Sequence, residues 1–210
     1  MYFTTKKNLQ NENNLLTGHQ ATNETNMTTL IILSVLAILS VFTVSLYTGA
    51  VCIKGRGVPY SISATFYALA HKYWFRFTMW TTPMLLMPAI LEVSRAGTEF
   101  LAFLALIGMI MVGSAPDYAR DPFQHKVHVS GAIMCILFSQ LWVALNCWWV
   151  LFPVWGAYLT YTTISIVRQK EGMFLYKFME TKPMFFVEVA ALSATYSALA
   201  ILINRLLQSL

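Results

Sequence analysis

The feature that most constrains the fold is an apolar run at residues 29–53 that contains no charged residue. A transmembrane helix needs ~20 consecutive, mostly apolar residues, so a run of this length predicts a membrane span. Further runs that carry few charges predict five more spans, at residues 77–91, 100–114, 122–145, 150–167 and 183–207. The sequence therefore predicts an all-α, polytopic membrane bundle of six transmembrane helices over residues 29–210.

The composition and the segments between these runs agree with this interpretation. Hydrophobic residues make up 57% of the chain and charged residues only 11%, against about 25% charged residues in soluble domains. Residues 1–28 are polar and rich in Asn and Thr, which predicts a disordered tail. After the first span, residues 58–76 combine aromatic and basic side chains, which is typical of an interfacial segment at the headgroup level.

The distribution of basic residues predicts an orientation. Six spans place ten of the 14 Lys and Arg residues in connectors on one side of the membrane. Because basic connectors favour the cytoplasm, both termini are expected outside, in a bacterial inner (plasma) membrane. The net charge of +5 is accounted for by these connectors, so nucleic acid is not an expected partner.

The stretch APDYARDPFQHKVHVSGA, residues 115–132, concentrates the side chains most capable of chemistry. Asp121 followed by Pro122 has the pattern of an N-cap and first helical residue, with Gln124 completing an approximate capping box. On a helix that starts there, His125 and His128 project from nearly the same face.

Glu188 is a carboxylate within the sixth apolar run. An ionisable side chain at that depth is costly unless it is paired or faces a wet cavity, so it is a functional hypothesis by default. The basic groups expected on the same side of the membrane are His125, His128, Arg76 and Arg168.

Two interpretations of this cluster remain open. In the first, His125 and His128 join Asp117 or Glu188 as three ligands of a zinc ion, whose open position would activate water. In the second, the histidines form hydrogen bonds across helices or meet lipid headgroups, and Glu188 pairs with an arginine. The second is favoured, because a His-x-x-His spacing alone fixes no third ligand.

Ser61 and Ser63, in the loop after the first span, are candidate nucleophiles. A nucleophile elbow has the pattern Gly-x-Ser-x-Gly, which neither serine shows. Serines that stabilise a local turn are far more common.

Two stretches, VPYSISATFY and GSAPDYARDPFQHKVHVSGAIM, resemble the DRAM-like six-helix membrane proteins and related bacterial families of unknown function. The resemblance implies a six-helix bundle with Ser61, Ser63 and His128 as shared positions, and an association with membrane lipids or trafficking. Ala64 stands where that family is expected to carry an acidic residue.

The chain is also similar to the ceramidase and adiponectin-receptor class of membrane hydrolases, which use a serine, an aspartate and three histidines around zinc. Ser61 or Ser63, Asp117, His125 and His128 match four of those roles, and a suitably placed third histidine is missing.

The function favoured by the sequence is a non-enzymatic protein that interacts with membrane lipids or with a membrane-protein partner, including a second copy of itself. The first alternative is a metal-dependent lipid hydrolase that uses the His/Asp/Glu cluster with zinc. The second is a small transporter, which would need a water-lined path from Glu188 to Glu92 or Glu99 on the other side of the membrane.

Overall fold

The structure is a computed structural model that describes residues 2–169 and 173–209, with side chains from residue 26 onwards. Every regular element in these residues is a helix, which confirms the predicted all-α class. In chain order the elements are α1 (Tyr2–Lys54), α2 (Thr65–Ala68), α3 (Tyr73–Glu92), α4 (Glu99–Ser114), α5 (Pro122–Cys147), a 3₁₀ turn (Trp148–Val150), α6 (Leu151–Arg168), α7 (Phe174–Glu180) and α8 (Pro183–Ser209).

Three segments of the described residues are long and apolar enough to cross a membrane. They are Asn26–Lys54, Pro122–Arg168 and Pro183–Ser209, and α4 is a shorter apolar helix. By length and composition these segments are consistent with insertion in a membrane. The backbone of α1 is helical from Tyr2, but the side chains of residues 1–25 lie outside the described residues, so the disordered tail over residues 1–28 stays a prediction.

The long segment Pro122–Arg168 consists of two antiparallel helices. At Cys147 the backbone leaves the helical region, with φ −148° and ψ 54°. The indole Nε1 of Trp155 in α6 donates to Oε1 of Gln140 in α5 at 3.0 Å. In one straight helix, residues 15 positions apart would be about 22 Å apart, so the chain must reverse between them.

Helices α4 and α5 cross at two glycines. A methyl group added at Gly108 would lie 2.5 Å from the Cys135 backbone nitrogen and 2.6 Å from the Gly131 carbonyl oxygen. One added at Gly131 would lie 2.7 Å from the Gly108 carbonyl oxygen. Small residues that let two backbones touch are typical of helix pairs in membranes.

A buried serine joins three helices in the middle of the bundle. The hydroxyl of Ser40 in α1 donates to the Thr82 carbonyl oxygen in α3 at 2.8 Å. It also pairs with the hydroxyl of Tyr196 in α8 at 2.6 Å. Helices α1, α3 and α8 therefore lie side by side at this level.

The segment between α1 and α3 folds into the bundle. Ile62 and Phe66 are buried, and the Phe66 ring contacts that of Phe75 with centroids 5.8 Å apart. Phe75 has no exposed surface. Helix α3 therefore begins at Tyr73, four residues before the predicted span 77–91, because its first turn packs against this segment.

The bundle has two ends, named here after one residue of each. The Asn146 end comprises the turn at residues 93–98, the last turn of α5 and the 3₁₀ turn. The Glu188 end comprises residues 55–72, residues 115–121, the first two turns of α5 and the start of α8. The predicted site residues Ser61, Ser63, Asp117, His125, His128 and Glu188 all belong to the Glu188 end.

Candidate functional site

The loop that carries Ser61 and Ser63 is held in place from inside the bundle. Both serines are buried, and Ser61 Oγ accepts a hydrogen bond from the Ala64 backbone N–H at 2.9 Å. Thr65 donates to the Ile62 carbonyl oxygen and pairs with the Tyr47 hydroxyl of α1. Ser61 therefore stabilises a local turn, which is the more common role of such serines.

Glu188 fastens this loop to α8. Its Oε2 accepts a hydrogen bond from the Ile62 backbone N–H at 2.5 Å, and the Ser63 side chain interacts electrostatically with the carboxylate. One turn earlier in α8, the Phe185 backbone N–H donates to the Tyr60 carbonyl oxygen at 3.1 Å. These contacts bring Glu188 to the loop of Ser61 and Ser63, although Glu188 is more than 120 residues from both serines in sequence.

Glu188 has neutral neighbours where the sequence suggested an arginine. The groups acting on its carboxylate are the Ile62 N–H and the Ser63 hydroxyl. Arg76 and Arg168 are exposed. Among the described residues, neither arginine acts on Glu188.

His128 is buried beside the loop at residues 115–121. It is 4% exposed, and its Nδ1 lies 2.9 Å from the Ala115 carbonyl oxygen, which sets Nδ1 as the protonated nitrogen because a carbonyl oxygen only accepts. Its ring stacks on Tyr118 with centroids 4.2 Å apart. This is a histidine that forms hydrogen bonds within the bundle.

The other two candidate ligands have different environments. His125 is exposed, although it lies three residues before His128. The Asp117 backbone N–H donates to Gln124 Oε1 at 3.0 Å. The Oδ1 atom of the Asp117 carboxylate is buried without a hydrogen-bond partner among the described residues.

Asp121 caps α5 as predicted. Its Oδ1 accepts from the Phe123 N–H at 2.8 Å and from the Gln124 N–H at 3.4 Å. The reciprocal half of a capping box is absent, since the Asp121 N–H instead donates to the Asp117 carbonyl oxygen. The hydrogen bond from Phe123, above all, lowers the pKa of Asp121.

Two tyrosines complete the Glu188 end. Burial raises the pKa of the Tyr118 phenol, and the Ser61 side chain acts against that rise. The Tyr67 hydroxyl accepts from the Ala119 N–H at 2.7 Å, and burial raises its pKa as well. The rings contact each other with centroids 5.4 Å apart, so Tyr67, Tyr118 and His128 form an aromatic column.

The arrangement does not gather a metal-ligand set. Within residues 26–169 and 173–209, no three His, Cys, Asp or Glu side chains lie close enough to hold a metal ion. Of the candidates His125, His128 and Asp117, the first is exposed and the second directs Nδ1 at a carbonyl oxygen. The zinc hypothesis stays a prediction with no cluster to support it.

A central cavity of about 90 Å³ lies behind the loop. Glu188 and Ser63 line its wall at the Glu188 end, and Ile90 and Ser139 line it farthest towards the Asn146 end. The other lining side chains are apolar or form hydrogen bonds within their own helix, as Thr195 does with the Ala191 carbonyl oxygen. The site is therefore a small, mostly apolar chamber with one carboxylate.

Sequence reasoning did not select three residues that shape this site. Tyr118 and Tyr67 form the aromatic column, and Cys135 lines the cavity near Glu188. None belongs to a recognised catalytic pattern, because each acquires its role only when distant segments meet. Tyr67 and Tyr118 lie inside the two stretches that carry the family resemblance, residues 58–67 and 113–134, and that location was the only sequence signal for them.

Comparison with protein-family models found no match, and searches of the curated proteins and of the solved structures found no similar chain. The resemblance to the DRAM-like proteins therefore stays a prediction that rests on residues 58–67 and 113–134.

Proposed function

We propose that this chain is a six-span protein of the bacterial inner membrane that binds membrane lipid along a lateral groove between α1 and α8. The single observation that carries the lipid proposal is the groove itself. Its two stretches have volumes of about 530 Å³ and 480 Å³, and they share Val41, Ser45 and Tyr196 as lining residues. The groove is therefore continuous.

The dimensions of the groove suit an acyl chain. On α1 it extends from Ser34 to Gly49, about 22 Å at 1.5 Å per residue. The hydrocarbon core of a bilayer is ~30 Å thick, so the groove follows about three quarters of it. Ile38 and Phe42 on its rim are 66% and 59% exposed. Because α1 and α8 are both candidate spans, lipid is the molecule that surrounds this groove.

The pairing of helices supports six spans. Helix α3 contacts α1 near its start, through Phe75 and Tyr47, and again half-way along, through Thr82 and Ser40. Helix α4 then returns beside α5. Helices α3 and α4 thus run through the same layer as the three longer segments, although by themselves they are less apolar or shorter.

The lipid proposal is tested by filling the groove. Ser197 is exposed in α8 and lines the groove, so Ser197→Phe should displace the bound chain. Ser130 is an equally exposed serine of α5 outside the groove, and Ser130→Phe is the matched control. The measurement is phospholipid retained per chain after gentle detergent purification, by mass spectrometry.

We expect the wild type and Ser130→Phe to retain the same lipid and Ser197→Phe to retain less. Equal retention in all three proteins would overturn the proposal. A stable dimer whose formation is blocked only by Ser197→Phe would also overturn it, because a second copy would then occupy the groove.

The six-span topology is tested separately. In a chain without Cys52, Cys135 and Cys147, a single cysteine is placed at Gly57→Cys or at Ala96→Cys, in the first and second connectors. Six spans with both termini outside predict that a membrane-impermeant thiol reagent labels Ala96→Cys in intact cells and Gly57→Cys only after lysis. Labelling of both in intact cells would contradict this topology.

A further inference from the structure

The central cavity presents a carboxylate to an apolar space. Its walls come from α1, α3, α4, α5, α8 and the loop before α2, and include Val44, Met79, Leu86, Met109, Ile136 and Leu192. Glu188 is half-buried, and it lines the cavity together with Ser63.

The protein supplies only part of what a carboxylate that faces an apolar space requires. The Ile62 N–H and the Ser63 hydroxyl both act on it. Two carboxylate oxygens together can accept about four hydrogen bonds. Within the described residues, no cationic side chain acts on this carboxylate. An isolated charge in an apolar space is costly unless it is paired or neutralised.

The size of the cavity limits what can supply the missing partner. A cavity of about 150 Å³ lined by apolar side chains binds benzene in another protein. At about 90 Å³, this one suits a smaller molecule of a few non-hydrogen atoms. Its polar end favours a hydrogen-bond donor and its walls favour an alkyl group.

A lateral route to the cavity comes from the bilayer. Val44, Ile62 and Leu192 line both the cavity and the α1/α8 groove. These three side chains therefore form the wall between the groove and Glu188. Rotation of their side chains is the smallest movement that would connect the two spaces.

We propose that this cavity is a binding site for a short aliphatic amine, whose ammonium group donates to Glu188 while its alkyl group packs against the apolar walls. The ammonium group provides both the donors and the positive charge that the carboxylate lacks. The site is distinct from the lipid groove, so amine binding requires no bound lipid.

The test is binding of ethylammonium to the full-length protein in detergent, measured as the rise in unfolding midpoint with ligand concentration. The neutral probe of similar size is ethanol. Glu188→Gln keeps an oxygen that can accept from Ile62 N–H but removes the charge. Glu99→Gln, at the opposite end of the bundle, is the matched control.

We expect the amine to stabilise the wild type and Glu99→Gln alike, and to bind Glu188→Gln at least about tenfold more weakly. The alcohol should bind the wild type more weakly than the amine and should not distinguish the variants. Equal amine binding to the wild type and Glu188→Gln would overturn the proposal. Absence of amine binding to the wild type would do the same.

A second measurement applies if Glu188→Gln does not fold. Cys135 lines the cavity. In a Cys52→Ser/Cys147→Ser background it is the one remaining thiol, so its rate of modification by a small neutral thiol reagent reports on access to the cavity. The amine should slow modification of Cys135 at concentrations where the alcohol does not. Equal protection by both probes would show that the charge on Glu188 does not select the ligand.

Discussion

The two ends of the bundle use buried polar side chains in different ways. At the Asn146 end, the Trp142 indole N–H donates to Ser94 Oγ at 2.7 Å. Asn146 accepts from the Arg95 N–H at 2.9 Å and donates to Thr98 Oγ1 at 3.1 Å. The side chains named here therefore find partners across the turn that joins α3 to α4.

The Glu188 end leaves polar capacity unused. Asp117 Oδ1 is buried without a partner among the described residues, and Glu188 lines a cavity. A buried polar atom without a partner requires an explanation, of which a ligand or an ordered water is the usual one. Polar side chains at the Asn146 end thus have partners across a turn, whereas Asp117 and Glu188 at the Glu188 end keep oxygens that can accept further hydrogen bonds.

Among the described residues, the cavity does not extend to the Asn146 end, and the transporter alternative stays a prediction. The lining of the cavity extends no farther towards the Asn146 end than Ile90 and Ser139. One turn beyond Ser139, Trp142 has no exposed surface. The cavity is therefore a pocket that ends inside the bundle, on the near side of Glu92 and Glu99.

Removal of the indole that closes the Asn146 end should have the largest effect on stability. Trp142→Ala deletes a side chain with no exposed surface, and truncations of this kind cost about 3–5 kcal/mol. Trp148, which is 62% exposed, provides the control Trp148→Ala. Unfolding followed by circular dichroism in mixed micelles measures both. Equal effects would show that Trp142 does not close this end.

A smaller loss is expected when the amide of the same network is removed. Asn146→Ala leaves the Arg95 N–H and Thr98 without their partner, at a cost of about 1–3 kcal/mol. The exposed Asn204 of α8 gives the control Asn204→Ala. The measurement is the free energy of unfolding of the two variants. If Asn146→Ala is as stable as the wild type, water replaces the hydrogen bonds of the lost amide.

The predicted spans match helices of the structure because membrane helices depend on long apolar runs, which are local properties of a sequence. The runs at residues 100–114 and 183–207 correspond to Glu99–Ser114 and Pro183–Ser209. The start of α5 was also predicted, since the signals from Asp121 and Pro122 lie within one turn.

The site was predictable only in part. The expectation that Ser61, Ser63, His128 and Glu188 share one end follows from the number of spans, and these residues do share it. The hydrogen bond from Ile62 to Glu188 joins residues 126 positions apart. A backbone donor has no side-chain signature, so no pattern in the sequence indicated that Glu188 would be held by a loop.

At the Glu188 end, two replacements of His128 distinguish its hydrogen bond to Ala115 from its ring contact with Tyr118. The amide nitrogen of His128→Asn can take the place of Nδ1 and donate to the Ala115 carbonyl oxygen, so we expect a loss of stability of about 1 kcal/mol or less. His128→Ala loses this bond and the contact with Tyr118, at about 1–3 kcal/mol.

The control for His128 is the exposed His125, whose replacement by alanine should change stability by no more than about 0.5 kcal/mol. Metal content per chain is measured beside the stabilities. If the wild type binds zinc and both His125→Ala and His128→Ala lose it, the two histidines share a metal site. That result would contradict their different environments in the structure and would support the hydrolase hypothesis.

The smallest expected effect is a loss of folding stability at acid pH that arises from Asp121, at the Glu188 end. Since the hydrogen bond from Phe123 lowers the pKa of Asp121 in the folded chain, its contribution to stability is present above pH ~4, near the usual pKa of aspartate. That contribution is lost as the pH falls through the lower, folded-state pKa. Asp121→Asn can still cap α5 but does not titrate, so its unfolding midpoint should fall less steeply with pH. If both proteins lose stability in parallel with falling pH, the acid sensitivity belongs to a group other than Asp121.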